Sequence, residues 1–203
     1  MGNLTTIAKF ARYFANDDVV LFPTDTVVGL GCRYDSANGI ARIRQLKGIV
    51  DESPLAVLVA NDKQVDLLKV RRSRIANLLM ERFWPGGLTI VMSAEQAYPC
   101  SGQGNSLGLR MPDADFLRRI IEQVGTPLAA TSANFHGQPA STKLENVDMK
   151  LAKMADHIID FEIKASNHAS TVVRIEGGHL RIIREGAISQ KEILEIAGSQ
   201  GGI

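Results

Sequence analysis

Thirteen residues constrain this chain more than any others: Val19-Val20-Leu21-Phe22-Pro23-Thr24-Asp25-Thr26-Val27-Val28-Gly29-Leu30-Gly31. Four consecutive apolar residues read as a strand buried on both faces. Pro23 has no N–H to give a ladder, so pairing stops there. Thr24, Asp25 and Thr26 then place two hydroxyls and a carboxylate at a strand end, where open α/β sheets bind ligands. Gly29 and Gly31 permit either close backbone approach or positive φ. An ordinary strand-to-loop turn would carry the same text, so the weight falls on whether later stretches repeat its character.

Strand and helix patterns alternate after it. Ile7, Phe10, Ala11 and Phe14 share a helical face before the strand. Ser36 caps a helix carrying Ile40, Ile43 and Leu46, and Gly48 stops it. Leu55 to Val59 reads as a strand, and Asn61 and Ser73 cap two more helices, the second with Ile75, Leu78, Leu79 and Phe83. Trp84-Pro85-Gly86-Gly87 breaks that helix, Leu88 to Met92 is strand, and Glu95 to Ser106 is a long surface loop. Leu107 to Met111 is strand. Asp113 caps a helix with Phe116, Leu117, Ile120, Ile121 and Val124, ended by Gly125 before the strand at Pro127-Leu128-Ala129-Ala130. One helix is expected through Leu144, Val147, Leu151 and Met154, then a short strand at Ile158-Ile159. Gly177-Gly178 joins two strands as a hairpin, and Ser189 with Glu192 opens a terminal helix. The pattern predicts α/β architecture with a mixed, twisted sheet.

At 203 residues, with 45% hydrophobic and 22% charged content, the chain predicts one soluble domain with ample core. A net charge of +1 selects no partner and leaves room for a local basic surface. Cys32 and Cys100 have neither metal-ligand nor framework spacing, which points to a reducing, cytoplasmic compartment. No leader pattern opens the chain, and no apolar run approaches the ~18 residues of a membrane span. The tail from Gly198 to Ile203 is expected to fray.

Four polar clusters sit at strand ends: Thr24 to Thr26, Ser106 to Arg110, Thr131 to Asn134, and Arg184-Glu185-Gly186. Neither a Walker loop nor a G-x-G-x-x-G fingerprint is present, so a bound nucleotide needs separate basic side chains, hydroxyls and amides. Lys47 serves either as a point charge on a phosphate or as a solvated lysine complementing its helix dipole. Arg110 interrupts an apolar strand, which suits bidentate carboxylate or phosphate recognition, or an edge strand facing water. Thr131-Ser132-Ala133-Asn134 suits backbone approach by a ligand, or an Asn-centred turn. Arg184 reads by default as a solvated strand end. His136, His157, His168 and His179 are scattered at element ends, and none forms a nucleophile or metal set.

The order of these clusters resembles the YrdC family, the threonylcarbamoyl-AMP synthases. The matching text is Pro23-Thr24-Asp25-Thr26-Val27 with Gly29-Leu30-Gly31, Leu46-Lys47-Gly48, Pro54-Leu55, and Trp84-Pro85-Gly86-Gly87-Leu88-Thr89. It continues in Leu109-Arg110-Met111-Pro112, Thr131-Ser132-Ala133-Asn134 with Gly137, Ser170-Thr171-Val172-Val173, and Arg184-Glu185-Gly186-Ala187-Ile188. The resemblance runs from residue 5 to 195 and suits the single-domain form of the family, with residues 1–203 as one domain.

It implies a twisted, mixed and largely antiparallel sheet, flanked by helices, around a large concave basic cavity. The implied reaction joins L-threonine, bicarbonate and ATP, with Mg2+, into threonylcarbamoyl-adenylate and pyrophosphate. A downstream transfer complex then modifies an adenosine of tRNA, and binding of double-stranded RNA or tRNA is a further family property. By position, Lys47, Ser132 and Asn134 take catalytic places. Ser53, Ser106 and Arg184 join them on ATP, while Thr26, Arg110, Ala130 and Ser170 hold L-threonine. No resident metal site is implied.

Three features depart from the family pattern: Ile49 stands where an arginine is usual, Val28 where tyrosine is frequent, and Leu58 with Ala140 where histidine and serine are common. Arg42 or Arg44 would have to substitute for the missing guanidinium. Two other readings stay open: a paralogue that binds double-stranded RNA or nucleotide without catalysis, and an α/β enzyme acting on another phosphorylated small molecule.

Overall fold

Alternate residues of the first strand go to opposite sides of a sheet, and this sets the architecture. In a computed structural model that describes residues 4–49, 53–101, 104–166 and 168–198, β1 (Val20–Phe22) buries all three of its residues. Val20 and Phe22 join a cluster with Ile7, Phe14, Leu117, Ile120 and Ile121. Leu21 joins a larger cluster with Leu30, Ile40, Ile43, Val57, Leu79 and Ile90. A four-residue apolar run thus reports a strand with a packed layer on each face.

The elements follow in order: α1 (Leu4–Ala11), β1, β2 (Gly29–Arg33), α2 (Ala37–Lys47), β3 (Ala56–Leu58), α3 (Asp62–Leu67), α4 (Arg74–Phe83) and β4 (Leu88–Ser93). Then come β5 (Ser106–Arg110), α5 (Asp115–Val124), β6 (Leu128–Ser132), α6 (Met149–Met154), β7 (His157–Ile158), β8 (Thr171–Glu176), β9 (His179–Arg184) and α7 (Gln190–Gly198). The nine strands form one sheet in the order β7-β1-β2-β6-β3-β5-β4-β8-β9. Pairs β1/β7, β3/β5 and β4/β8 are parallel, and the other five are antiparallel, so the sheet is mixed and mostly antiparallel. This is an α/β fold with helices on the sheet.

Local chemistry explains most boundaries. Ser36, Asn61 and Ser73 accept from the backbone N–H of the third residue onward, as N-caps do. Gly48 and Gly125 close α2 and α5 in the left-handed region, at φ 69° and 82°. Gly177 and Gly178, both at positive φ, make the β8–β9 turn. Ser189 and Glu192 exchange their reciprocal bonds ahead of α7.

Three expectations need correction, and one open alternative is decided. Asp113 does not cap α5: the residue at the cap is Ala114, without a side-chain bond, and Asp113 instead lies 3.8 Å from Arg118. The helix expected through 144–154 is split, because Val147 is extended and Asp148 caps α6 with its Oδ1 on the N–H of Lys150 and Leu151. The Glu95–Ser106 loop is no plain surface loop. Cys100 and Ser101 are buried, the Cys100 carbonyl accepts from Leu55 N–H at 3.0 Å, and Tyr98 Oη donates to the Leu68 carbonyl. Gly29 and Gly31 serve close approach rather than positive φ: a Cβ would stand 2.8 Å from the Phe22 ring at Gly29, and 2.7 Å from the Ala129 carbonyl at Gly31. The frayed tail expected at 198–203 lies, beyond Gly198, outside the described residues.

Backbone carbonyls in a paired strand cannot step aside as a flexible side chain can. Gly31→Ala is therefore expected to lower stability by about 1–3 kcal/mol, read as a lower urea midpoint with unchanged slope. An unchanged midpoint would show that β2 and β6 are not packed this closely.

Candidate functional site

The turn after β1 folds back on its own hydroxyls. Thr24 Oγ1 donates to the Val27 carbonyl at 2.7 Å and accepts from the Thr26 N–H at 3.1 Å. This leaves Thr26 Oγ1 and the Asp25 carboxylate turned toward β5. There Arg110, 6% exposed, donates from Nη2 to Asp25 Oδ1 at 2.6 Å and from Nη1 to Thr26 Oγ1 at 2.7 Å. Its Nε donates to the Gly86 carbonyl at 3.0 Å. Burial lowers the guanidinium's pKa, and the Asp25 charge opposes that shift. β5 lies between β3 and β4, so Arg110 is no edge-strand arginine. A guanidinium has five N–H groups. Three make these bonds, and the other two carry no bond to another described residue.

Arg110 lines a cavity of about 310 Å³. Of the residues expected at the site, the cavity gathers Thr26, Ser106, Arg110, Ala130, Ser132, Ser170 and Arg184. The titratable groups in its wall are Arg110, Arg174 and Arg184. Ser170 is held from two sides: Thr89 Oγ1 donates to its Oγ at 2.9 Å, and Arg184 Nη2 donates to its carbonyl at 2.8 Å. Thr171 Oγ1 accepts from the N–H groups of Gly186 and Ile188, each at 2.9 Å, so the segment after β9 closes beside Ser170. Gly186 has no alternative there, since a Cβ would meet the Ala169 carbonyl at 2.2 Å.

Lys47, Ser53 and Asn134 are not in the cavity wall, although Pro54, Leu55, Thr131 and Ser132 are. Lys47 is neither exposed nor free. It is 5% exposed, and its Nζ donates to the carbonyls of Ser132 and Asn134 at 2.5 and 2.7 Å, with Asn134 Oδ1 at 3.4 Å. The lysine thus holds the 132–134 segment against the end of α2. Asn134 Nδ2 fixes the following turn through the carbonyls of Phe135 and Gln138.

The departures from the family pattern also acquire places. Leu58 lines the cavity, Val28 is buried in the core, and Ile49 follows the α2 cap, its N–H on the Arg44 carbonyl. Arg42 is spent on Asp156 at 2.7 Å, and Arg44 Nη2 donates to the Ser53 carbonyl at 3.3 Å. Among the described residues, the buried Arg44 Nε has no hydrogen-bond partner. Burial pushes the thiols of Cys32 and Cys100 up to about 12, which makes poor nucleophiles of both. None of the four histidines is in the cavity wall.

Thr24, named in the first polar cluster, lines the wall, whereas sequence reasoning missed Thr89 and Arg174 as wall residues. Arg174 gave the same signal as Arg110, a charge interrupting the apolar run Val172-Val173-Arg174-Ile175. Thr89 gave a weaker one, a lone hydroxyl between Leu88 and Ile90.

Burial lowers the Lys47 pKa from 10.5 to about 8. Between those values the unfolded chain binds more protons than the folded one, so this group's contribution to stability rises with pH across that window. The Nζ resonance of Lys47 is expected to titrate near pH 8 by NMR. A midpoint near 10.5 would place the ammonium in water and contradict the contact with residues 132–134.

The Sua5/YciO/YrdC family model, described as telomere recombination, matches residues 12–186. Over 201 residues the chain is 32% identical to a Bacillus subtilis protein named threonylcarbamoyl-AMP synthase, covering 95% of this chain and 56% of that one. Its fold superposes on Pyrococcus abyssi Sua5 complexed with L-threonine at a TM-score of 0.88 and 30% identity, covering 95% of this chain and 57% of that one. Escherichia coli YciO shares the fold alone, at a TM-score of 0.84 and 21% identity over 96% of this chain and 95% of that one. The chain spans just over half the length of the Bacillus and Pyrococcus proteins. With a family model covering most of its residues and the same fold in both solved relatives, the chain belongs to the Sua5/YciO/YrdC family.

Proposed function

We propose that this chain is a threonylcarbamoyl-AMP synthase. The carrying observation is Arg110: a buried, internally neutralised guanidinium with two N–H groups left among the described residues, in the wall of a cavity also lined by Thr26, Ala130 and Ser170. That set fits a small hydroxylated amino acid. The guanidinium takes the carboxylate in a fork, and Thr26 and Ser170 offer hydroxyls to its polar groups. Similarity to a protein named for this activity, and to one solved with L-threonine, supports the same reading.

In this reading the amino nitrogen of threonine attacks the carbon of bicarbonate, and water leaves to give a carbamate. A carbamate oxygen then attacks the α-phosphorus of ATP. The bond to the β-phosphate bridging oxygen breaks, and pyrophosphate departs with its electron pair. The chemistry requires positioned anions and compensated charge rather than a protein nucleophile. Arg184 and the 132–134 segment, held in place by Lys47, face the nucleotide, with Ser53 and Ser106 at its border. Mg2+ reads as part of the nucleotide substrate, where it neutralises phosphate charge. The adenylate would pass to a complex that modifies tRNA, in the cytoplasm.

Purified protein with ATP, Mg2+ and bicarbonate is expected to release pyrophosphate only when L-threonine is present. Lys47→Ala should slow that release by about a hundredfold or more, because the 132–134 segment loses its anchor. Nucleotide or double-stranded RNA binding without threonine-dependent release would contradict the synthase and favour a non-catalytic relative.

A further inference from the structure

Two pairs of hydroxyls in the cavity wall bond to each other, Thr24 with Thr26 and Thr89 with Ser170. A hydroxyl has one hydrogen to give and two lone pairs to receive, so its partners fix what it can still offer a ligand. Thr24 Oγ1 donates its hydrogen to the Val27 carbonyl at 2.7 Å, and in its 3.1 Å contact with Thr26 Oγ1 it can only accept. The hydrogen of Thr26 is therefore spent on Thr24. Thr26 Oγ1 also accepts from Arg110 Nη1 at 2.7 Å, which leaves it one lone pair and no hydrogen. Toward a ligand, Thr26 is an acceptor.

Ser170 has the opposite sense. Its Oγ accepts from Thr89 Oγ1 at 2.9 Å and from Arg184 Nη2 at 3.3 Å, so both lone pairs are engaged. Its hydrogen has no acceptor among the described residues. Two donors on one oxygen also fix the rotor, because the hydrogen is confined to the tetrahedral direction that remains. Arg184 is committed mainly to the Ser170 carbonyl, with Nη2 at 2.8 Å and Nε at 3.2 Å. Thr89 is the partner that bonds the hydroxyl alone. It is 3% exposed on β4, and among the described residues its side chain makes one hydrogen bond, the one to Ser170. A residue needed there only to fill space would be served by valine, which suits a strand equally well.

We propose that Thr89 is a positioning residue that holds the Ser170 hydroxyl as a fixed donor to an acceptor oxygen of the bound amino acid, its carboxylate or its side-chain hydroxyl. The assignment rests on the synthase reading for its ligand, and on the hydrogen-bond partners for its sense. The amine meets Thr26 instead, beside the Arg110 fork. An acceptor there takes an amine N–H and leaves the nitrogen lone pair for attack on the bicarbonate carbon. A donor in the same place would compete with bicarbonate for that lone pair.

Calorimetric titration with L-threonine, L-α-aminobutyrate and ATP tests the assignment. Thr89→Val is expected to weaken L-threonine binding about three- to tenfold, and Thr89→Ser to restore it. ATP affinity should be the same in all three proteins. Weaker binding of both amino acids places the Ser170 hydrogen on the carboxylate. Weaker binding of L-threonine alone places it on the side-chain hydroxyl, which aminobutyrate lacks. Unchanged L-threonine affinity in Thr89→Val overturns the assignment. So does a loss that Thr89→Ser fails to restore, or one that ATP binding shares, since either marks lost packing. A wild-type chain that binds threonine in this Thr89-dependent way without releasing pyrophosphate supports the assignment and removes the synthase reading alone.

Discussion

The buried ion pair between Arg110 and Asp25 is the interaction on which the rest of the site depends. A guanidinium on an interior strand stays charged, and an isolated buried charge costs several kcal/mol. Asp25 supplies the partner from the β1–β2 turn, Thr26 adds a hydroxyl, and Gly86 adds a carbonyl from the turn between α4 and β4. One side chain thus ties three segments distant in sequence to a single point. The cavity wall is what lies between them. The internal carboxylate uses only part of the fork, so the pair ties the wall together while two guanidinium N–H groups carry no bond to another described residue.

The remaining walls follow the same logic of short polar ties across chain crossings. Lys47 joins the end of α2 to the segment after β6, and Thr171 joins β8 to the segment after β9. Glycines stand where these crossings leave no room for a Cβ, at Gly87 against Ala187 and at Gly186 against the Ala169 carbonyl. The sheet supplies rigidity, and the ties supply shape.

Much of this was legible from residue order, because local chemistry decided it. Caps, left-handed glycines and the Gly177-Gly178 hairpin depend on neighbours in sequence, and they sit where their spacing put them. Alternating strand and helix texts gave the fold class, and the clusters at strand ends gave Thr26, Ser106, Arg110, Ser132 and Arg184 of the cavity wall, with Ala130 and Ser170 added by the family resemblance. What could not be read was partnership. That Asp25 would meet Arg110, or that Lys47 would spend its donors on backbone carbonyls, depends on a strand order that no local pattern encodes. Asp113 failed as a cap because α5 begins two residues later, and Arg174 was passed over although, like Arg110, it interrupts an apolar run.

The central claim is that Arg110 and Asp25 act as one buried unit, and a double-mutant cycle on stability tests it most directly. Asp25→Leu alone strands a buried cation and is predicted to cost about 3–5 kcal/mol, whereas Asp25→Leu combined with Arg110→Met removes both charges and should cost far less than the two single changes together. Urea unfolding of the four proteins supplies the comparison. Strong non-additivity of that sign is the predicted result. Single-change costs that simply add would contradict the account, because the two side chains would then not share the contact around which the site is built.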